Sequence, residues 1–296
     1  MPLENIPFEQ TKCVLRNAYS KGRIEDALTI ALNAEQAYPH ERETTLYWKA
    51  CLYSLLGNTS KAMHALQSAL NEGIWWSRKT LESESDFDHL RNEPEYNAIA
   101  DAMETIYAQV CTTAKAICIR DGQKEGTKKL LNLHWRNDNV EHYRRYFPQF
   151  QNVSMIYVQS SQVASSKGFC WDNKEKAVHD IEEVLGKELE DISVFSGTSQ
   201  GAVIALRLAL HYKKSYVGIM PALKDTAIVN EITDERSKYR FLVGERDDFY
   251  PACKETNERL KEKNIDSVFI SLGDVGHYFP EDFEKYYQSV INEQFA

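Results

Sequence analysis

Ser199 stands at the centre of Gly197-Thr198-Ser199-Gln200-Gly201, which ends the apolar run DISVFSG and leads into AVIALRLAL. A G-x-S-x-G pentapeptide between a strand and a helix is the setting in which a sharp turn lifts a serine hydroxyl above a sheet. Any Cβ at position 197 or 201 would crowd the neighbouring strand and helix. The following helix points its N-terminus at the serine, which favours developing negative charge. A serine hydroxyl is a poor nucleophile until a base takes its proton. On such a turn the partners come later in the chain, first Asp or Glu and then His. YRFLVGERDDFYP supplies Asp247 just beyond one apolar run, and DSVFISLGDVGHYFP supplies His277 just beyond the next. His277 would act as general base and then as general acid, while Asp247 would hold its tautomer and stabilise its charged form. Glu245 and Asp248 compete for the acid role; the Gly-x-x-Asp spacing from Gly244 favours Asp247.

The elements that must carry these residues are strand-length apolar runs: KKLLNLH, VSMIYVQ, DISVFSG, YVGIMPA, YRFLVGE and DSVFISL. Runs of this kind read as buried parallel strands. Helical stretches lie between or after them: KEKAVHDIEEVLGKELE, AVIALRLALHYKK, ACKETNERLKEKN and FEKYYQSVINEQF. The alternation predicts an α/β fold with a doubly wound, mostly parallel sheet. Its ligand site is expected at the carboxyl ends of the strands, where Ser199, Asp247 and His277 all fall. No lid domain is expected, because the stretch from Pro221 to Arg240 is too short for one.

The first third reads differently. Placing Gly22 over Gly57 aligns Ala27 with Ala62 and Ala34 with Ala69, an offset of 35 residues. The glycines suit helix-to-helix turns that need positive φ. The alanines suit close helix crossings, and Pro39 suits the end of a helix. Over residues 7–74 this pattern resembles a tetratricopeptide repeat, whose period is about 34. Ile99, Met103 and Ile106 then mark an apolar helical stripe after Pro94, expected as a capping helix. The domain boundaries expected are a helical domain over 1–107, a linker or first edge strand over 108–127, and a catalytic domain over 128–296. AKAICIRDGQKEG either finishes the cap helix or starts an edge strand with a turn at Asp121-Gly122.

The net charge of −9 and the lack of any run of Lys and Arg argue against nucleic acid as a partner. MPLENIPFEQ lacks the basic and apolar regions of a signal peptide. The longest apolar stretch, Ala202 to Leu210, contains Arg207 and is too short for a membrane span. Six scattered cysteines without a C-x-x-C pair suggest free thiols and a cytoplasmic location.

With no large insertion between its strands, the C-terminal part resembles the α/β-hydrolases, in the carboxylesterase/phospholipase and dienelactone-hydrolase-like branch. The loop QSSQVASSKGFCWDN, a Ser-rich strand end followed by an aromatic-Asp pair, is similar to a loop of that branch. The resemblance covers roughly residues 128–290. It implies hydrolysis of a small-molecule acyl ester or thioester through an acyl-enzyme, with no metal or organic cofactor. One place departs from it. Where the family carries His-Gly and further glycines after its first core strand, this chain has Leu133-His134-Trp135-Arg136-Asn137-Asp138. The resemblance makes the backbone amides of Arg136 and Gln200 the oxyanion donors. Trp135 and His134 are the candidate pocket residues; Trp135 forms a wall or blocks the turn, and His134 sits under the site. Two other readings stay open: a peptidase of the same fold, or an inert hydrolase-fold scaffold that binds a peptide or protein partner through its repeats.

Overall fold

The computed structural model describes residues 8–122, 127–234 and 236–295. Residues 1–7, which open the segment read for a signal peptide, and 123–126, at the end of the expected 108–127 connection, lie outside the described residues. The chain divides into two units, one of Met1–Thr113 with Val163–Lys167 and the other of Ala114–Gln162 with Gly168–Ala296.

The first unit is helical because its turns are cheap and its crossings small. Gly22 and Gly57 both adopt φ +70°. At each, the glycine N–H donates three residues back and the next N–H five residues back, to Ala18 and Tyr53 respectively. That left-handed ending satisfies carbonyls a helix would otherwise leave open. The turns separate helices α1 (Phe8–Ser20) from α2 (Ile24–Ala37) and α3 (Arg42–Leu55) from α4 (Thr59–Asn71). α1 packs on α2, α2 on α3 and α3 on α4. Ala27, Ala34, Ala62 and Ala69 are all fully buried. Pro39 opens a short 3-10 turn after α2. Helix α5 (Arg78–Ser83) follows, capped by the Ser77 hydroxyl, and then α6 (Pro94–Cys111), with Pro94 in its first turn.

A second stretch of chain completes this unit. Ser165 pairs antiparallel with Trp76, Ser77 N donates to Ala164 O at 2.9 Å, and Ser166 N donates to Trp75 O at 2.8 Å. The Ser166 hydroxyl donates to Glu43 Oε2 at 2.7 Å. Burial pushes the Glu43 carboxyl above its usual range, and Ser165, Ser166 and Lys167 offset part of that. Cutting the chain once near residue 107 does not reproduce this division, because residues 163–167 find their backbone partners on Trp75 and Ser77.

The second unit is built on seven strands. They are β1 (Ile117–Asp121), β2 (Lys128–Leu133), β3 (Val153–Gln159), β4 (Ile192–Thr198), β5 (Ser215–Ile219), β6 (Tyr239–Val243) and β7 (Ser267–Ser271). Their order is β1-β3-β2-β4-β5-β6-β7. All neighbours are parallel except β1, which pairs antiparallel with β3. The ambiguous segment takes the second alternative: α6 ends at Cys111, before Ala114, and β1 forms the edge strand, with Gly122 at φ +71° behind it. All seven residues of β3 are buried, as expected where both faces of a sheet are covered.

The helices of this unit, in chain order, are α7 (Val140–Tyr143), α8 (Lys174–Leu185), α9 (Glu188–Asp191), α10 (Gln200–Tyr212), α11 (Tyr250–Glu262) and α12 (Phe283–Phe295). Strand alternation splits the core in two. Leu131, Ile156 and Phe195 pack with Ile181 of α8, Leu208 of α10 and Leu260 of α11. Leu130, Met155 and Val194 pack with Tyr143 of α7 and Tyr287 and Ile291 of α12. The sheet is doubly wound. Among the described residues no helix is long and apolar enough to cross a membrane.

Candidate active site

Parallel register decides which residues leave the sheet together. Leu133 pairs with Gly197, Thr198 with Ile219, and Val243 with Ser271. The segments after β2, β4, β6 and β7 therefore emerge along one edge of the sheet, its carboxyl edge. Ser199 follows β4 with φ 54° and ψ −118°, a conformation costly for a residue with a side chain. Its backbone is held on both sides: Ser199 N donates to Ile219 O at 3.0 Å, and Ala222 N donates to Ser199 O at 3.2 Å. The flanking glycines have no room for anything larger. A Cβ on Gly197 would lie 2.6 Å from the Gly201 carbonyl carbon, and one on Gly201 would lie 2.3 Å from His134 O.

His277 Nε2 lies 2.8 Å from Ser199 Oγ, and His277 Nδ1 lies 2.7 Å from Asp247 Oδ2. An ionised carboxylate only accepts, so Nδ1 carries the hydrogen toward Asp247, leaving Nε2 to accept from the serine hydroxyl. The Asp247 side chain is fully buried, and its Oδ1 takes a further hydrogen bond from Phe249 N at 2.9 Å. The two competing acids are elsewhere: Asp248 is exposed, and Glu245 accepts from Ser271 Oγ at 2.8 Å.

Beneath Ser199 lies a buried polar network the sequence did not flag. The Tyr143 hydroxyl is 2.7 Å from Thr198 Oγ1 and donates to Asn132 Oδ1 at 3.0 Å. Tyr287 joins it through Asn132 Nδ2 at 3.4 Å. Thr198 precedes the serine, so this network fixes the strand end from which the turn springs. Tyrosines in two helical stretches carry no signal that would have singled them out.

The turn after β2 is unusual in composition, and the structure shows how it holds. His134 is fully buried and offers no surface to a ligand. Its Nδ1 lies 2.7 Å from Trp135 O, and burial lowers its pKa to about 4, so the ring is neutral near pH 7. This replaces the reading of His134 as a pocket residue with a place under the turn. Trp135 is half-buried, stacks on Phe279 at 4.6 Å and donates its indole N–H to Asp138 Oδ2 at 2.6 Å. Phe279, two residues after His277, was not anticipated. Asn137 takes the left-handed conformation at φ 66°. Arg136 and Gln200, the expected oxyanion pair, share one acceptor. Asp172 Oδ1 receives Gln200 Nε2 at 2.9 Å and lies 3.5 Å from Arg136 Nε. As the first residue of α10, Gln200 contributes one of the amides that lack an intrahelical acceptor.

Among the described residues, Cys51, Glu84 and Asp86 of the helical unit bring potential metal-ligand atoms within 4.8 Å of one another. Both carboxylates already receive tyrosine hydroxyls, Tyr47 to Glu84 at 3.1 Å and Tyr19 to Asp86 at 2.8 Å.

No family model matches the chain, and no curated protein matches it. Solved structures do. An uncharacterized protein from Bacillus cereus ATCC 10987 is 22% identical, with a TM-score of 0.51, over 96% of this chain and 97% of its own. Esterase PE8 is 16% identical with a TM-score of 0.49, over 60% of this chain and 98% of its own. An acyl-protein thioesterase 2 from Zea mays is 18% identical with a TM-score of 0.48, over 62% of this chain and 100% of its own. The first of these, at 22% identity, is a likeness of fold alone. The seven-stranded, doubly wound sheet with its tight strand-to-helix turn at Ser199 is the α/β-hydrolase fold, preceded by a helical region of about 100 residues.

Proposed function

We propose that this chain is a serine hydrolase that cleaves a small acyl ester or thioester through an acyl-enzyme. The observation that carries the reading is the unbroken hydrogen-bonded chain from Asp247 through His277 to Ser199 Oγ, with links of 2.7 and 2.8 Å. A serine held in a strained turn against two strand ends supports it further.

In this reading Ser199 Oγ attacks the acyl carbon as its proton passes to His277 Nε2. The backbone amides of Gln200 and Arg136 hold the oxyanion that forms; each such donor contributes about 2.7–4 kcal/mol to the transition state. When the intermediate collapses, His277 returns the proton to the departing alcohol or thiol. Water then attacks the acyl-serine as its proton passes to the same nitrogen; collapse breaks the bond to Ser199 Oγ, His277 returns the proton to that oxygen, and the acid leaves. Asp247 stays ionised and steadies the imidazolium in both halves. Trp135 stacked on Phe279 is proposed as one wall of the acyl pocket. For the helical unit we propose tetratricopeptide-like pairs, α1–α2 and α3–α4, capped by α6; the matched glycine turns and buried alanines support this.

The test is covalent labelling with a fluorophosphonate, followed by hydrolysis of short-chain p-nitrophenyl esters and thioesters. Wild type is expected to label on Ser199, and Ser199→Ala to lose labelling and about 10⁶-fold in kcat, as nucleophile removal does elsewhere. A folded wild type that neither labels nor hydrolyses any acyl substrate defeats the proposal.

A further inference from the structure

Two turns meet where the oxyanion donors are proposed, and each draws on residues distant in sequence as well as on its own. Asn137 and Ser199 both carry positive φ, at 66° and 54°. Strained backbone persists only where its surroundings over-determine it. Ser199 itself is held by Ile219 and Ala222, and one short segment, Phe169 to Asp172, ties the Asn137 turn to the residue after Ser199. Asn137 N donates to Phe169 O at 2.7 Å, and Phe169 N donates to Asp138 O at 2.8 Å. Trp171 Nε1 donates to His134 O at 2.8 Å. Trp171 N donates to Gln200 Oε1 at 3.2 Å. The opposite end of the same amide, Gln200 Nε2, donates to Asp172 Oδ1, which also faces Arg136 Nε.

We propose that Asp172 is a positioning residue that locks Gln200 and Arg136 in one arrangement, so that their two amides converge on the same oxyanion. The inference rests on the serine-hydrolase reading above. Charge and shape both matter. A carboxylate oxygen can take a neutral amide donor and a guanidinium together, and a charge-assisted bond is about twice as strong as a neutral one. With Gln200 clasped at both ends of its side chain, the first turn of α10 cannot rotate without breaking two hydrogen bonds. With Arg136 held to the same oxygen, the β2 turn cannot withdraw on its own. Asp172 touches no reacting atom; it acts through the two residues it holds.

The experiment compares Asp172→Ala and Asp172→Asn with wild type on a short acyl ester, together with affinity for a trifluoromethyl ketone, which forms a tetrahedral adduct. The displaced donors matter only once the oxyanion exists, so kcat should fall about 10–100-fold in Asp172→Ala, with KM within about threefold, below the 10²–10³ lost when a donor is removed outright. Ketone affinity should fall by the same factor as kcat/KM, and Asp172→Asn should lie between. A purely structural role would lower the active fraction and leave the ketone affinity of the remaining sites intact. A double-mutant cycle with Gln200→Ala covers the case in which Asp172→Ala folds poorly. If the pair acts as a unit, the double variant Asp172→Asn/Gln200→Ala loses little more than the worse single variant; full additivity overturns the proposal. So does a folded Asp172→Ala with wild-type kcat and ketone affinity. If wild type itself fails to label with a fluorophosphonate, the underlying hydrolase reading falls, and this one with it; a labelled wild type beside an unaffected Asp172→Ala removes this inference alone.

Discussion

Replacing Gly201 by alanine adds one carbon at the point where the helix after the serine lies against the end of β2. The new Cβ would sit 2.3 Å from His134 O and 2.4 Å from Leu133 O. Both obstacles are backbone atoms, so no side chain can swing aside. Leu133 is also in register with Gly197, which binds that backbone to β4. Restoring an ordinary contact requires the β2 turn and the start of α10 to part by about 1 Å, and overpacking of this kind costs about 1–3 kcal/mol. In a chain of this size each kcal/mol lowers the melting temperature by about 2–4 °C, so a loss of several degrees is expected. The activity should suffer more. Arg136 lies two residues beyond His134, and Gln200 directly precedes Gly201, so the parting separates the two proposed oxyanion donors. A misplacement of about 1 Å can cost about 10²-fold in rate. The assay is thermal melting beside steady-state hydrolysis of a short p-nitrophenyl ester, with fluorophosphonate titration to count active sites. An unchanged melting temperature refutes the steric argument. A lowered melting temperature with unchanged kcat refutes the link between this contact and the chemistry.

Asp247→Asn should reduce kcat by about 10³–10⁴-fold, because the amide favours the wrong imidazole tautomer; Asp248→Asn, on an exposed side chain, should stay within about twofold on the same ester assay. Burial holds the His134 pKa near 4, below its ordinary value of 6.5, so the unfolded chain takes up this proton at higher pH than the folded one. Its stabilising effect is complete above about pH 6.5 and fades as pH falls toward 4, by about 3 kcal/mol in all. Urea melts of wild type and His134→Asn at pH 7 and pH 4.5 should show a shallower pH dependence in the variant; equal slopes count against the assignment. Tyr143→Phe removes the hydroxyl shared by Thr198 and Asn132 and should cost about 1–3 kcal/mol, measured by urea denaturation.

The parallel strands were legible because a strand covered on both faces is mostly apolar, and β3, VSMIYVQ, is apolar at every position but Ser154 and Gln159. The pentapeptide around Ser199 was legible because its glycines answer to steric limits that any such turn imposes. The edge strand β1 was ambiguous since its residues are only half-covered, and ICIRD has no clean alternation to separate it from a helix end. Trp171 and Asp172 showed only as an aromatic-Asp pair; their grip on Gln200 spans 29 and 28 residues and that of Trp171 on His134 spans 37, which leaves no local trace. Residues 163–167 were unreadable for the same reason. They form no periodic element of their own, and their partners Trp75 and Ser77 lie nearly ninety residues earlier.

That last feature bears on how the molecule is made. A ribosome finishes helices α1–α6 long before it reaches Ser166, whose bond to Glu43 spans 123 residues of sequence. The N-terminal unit, normally the first to fold during synthesis, must here wait with a bare backbone edge at Trp75–Ser77 until residues 163–167, beyond β3, have been translated. A fragment that stops before residue 163 keeps that edge permanently unfilled, and one that begins at residue 114 carries a five-residue segment without its backbone partners at Trp75 and Ser77.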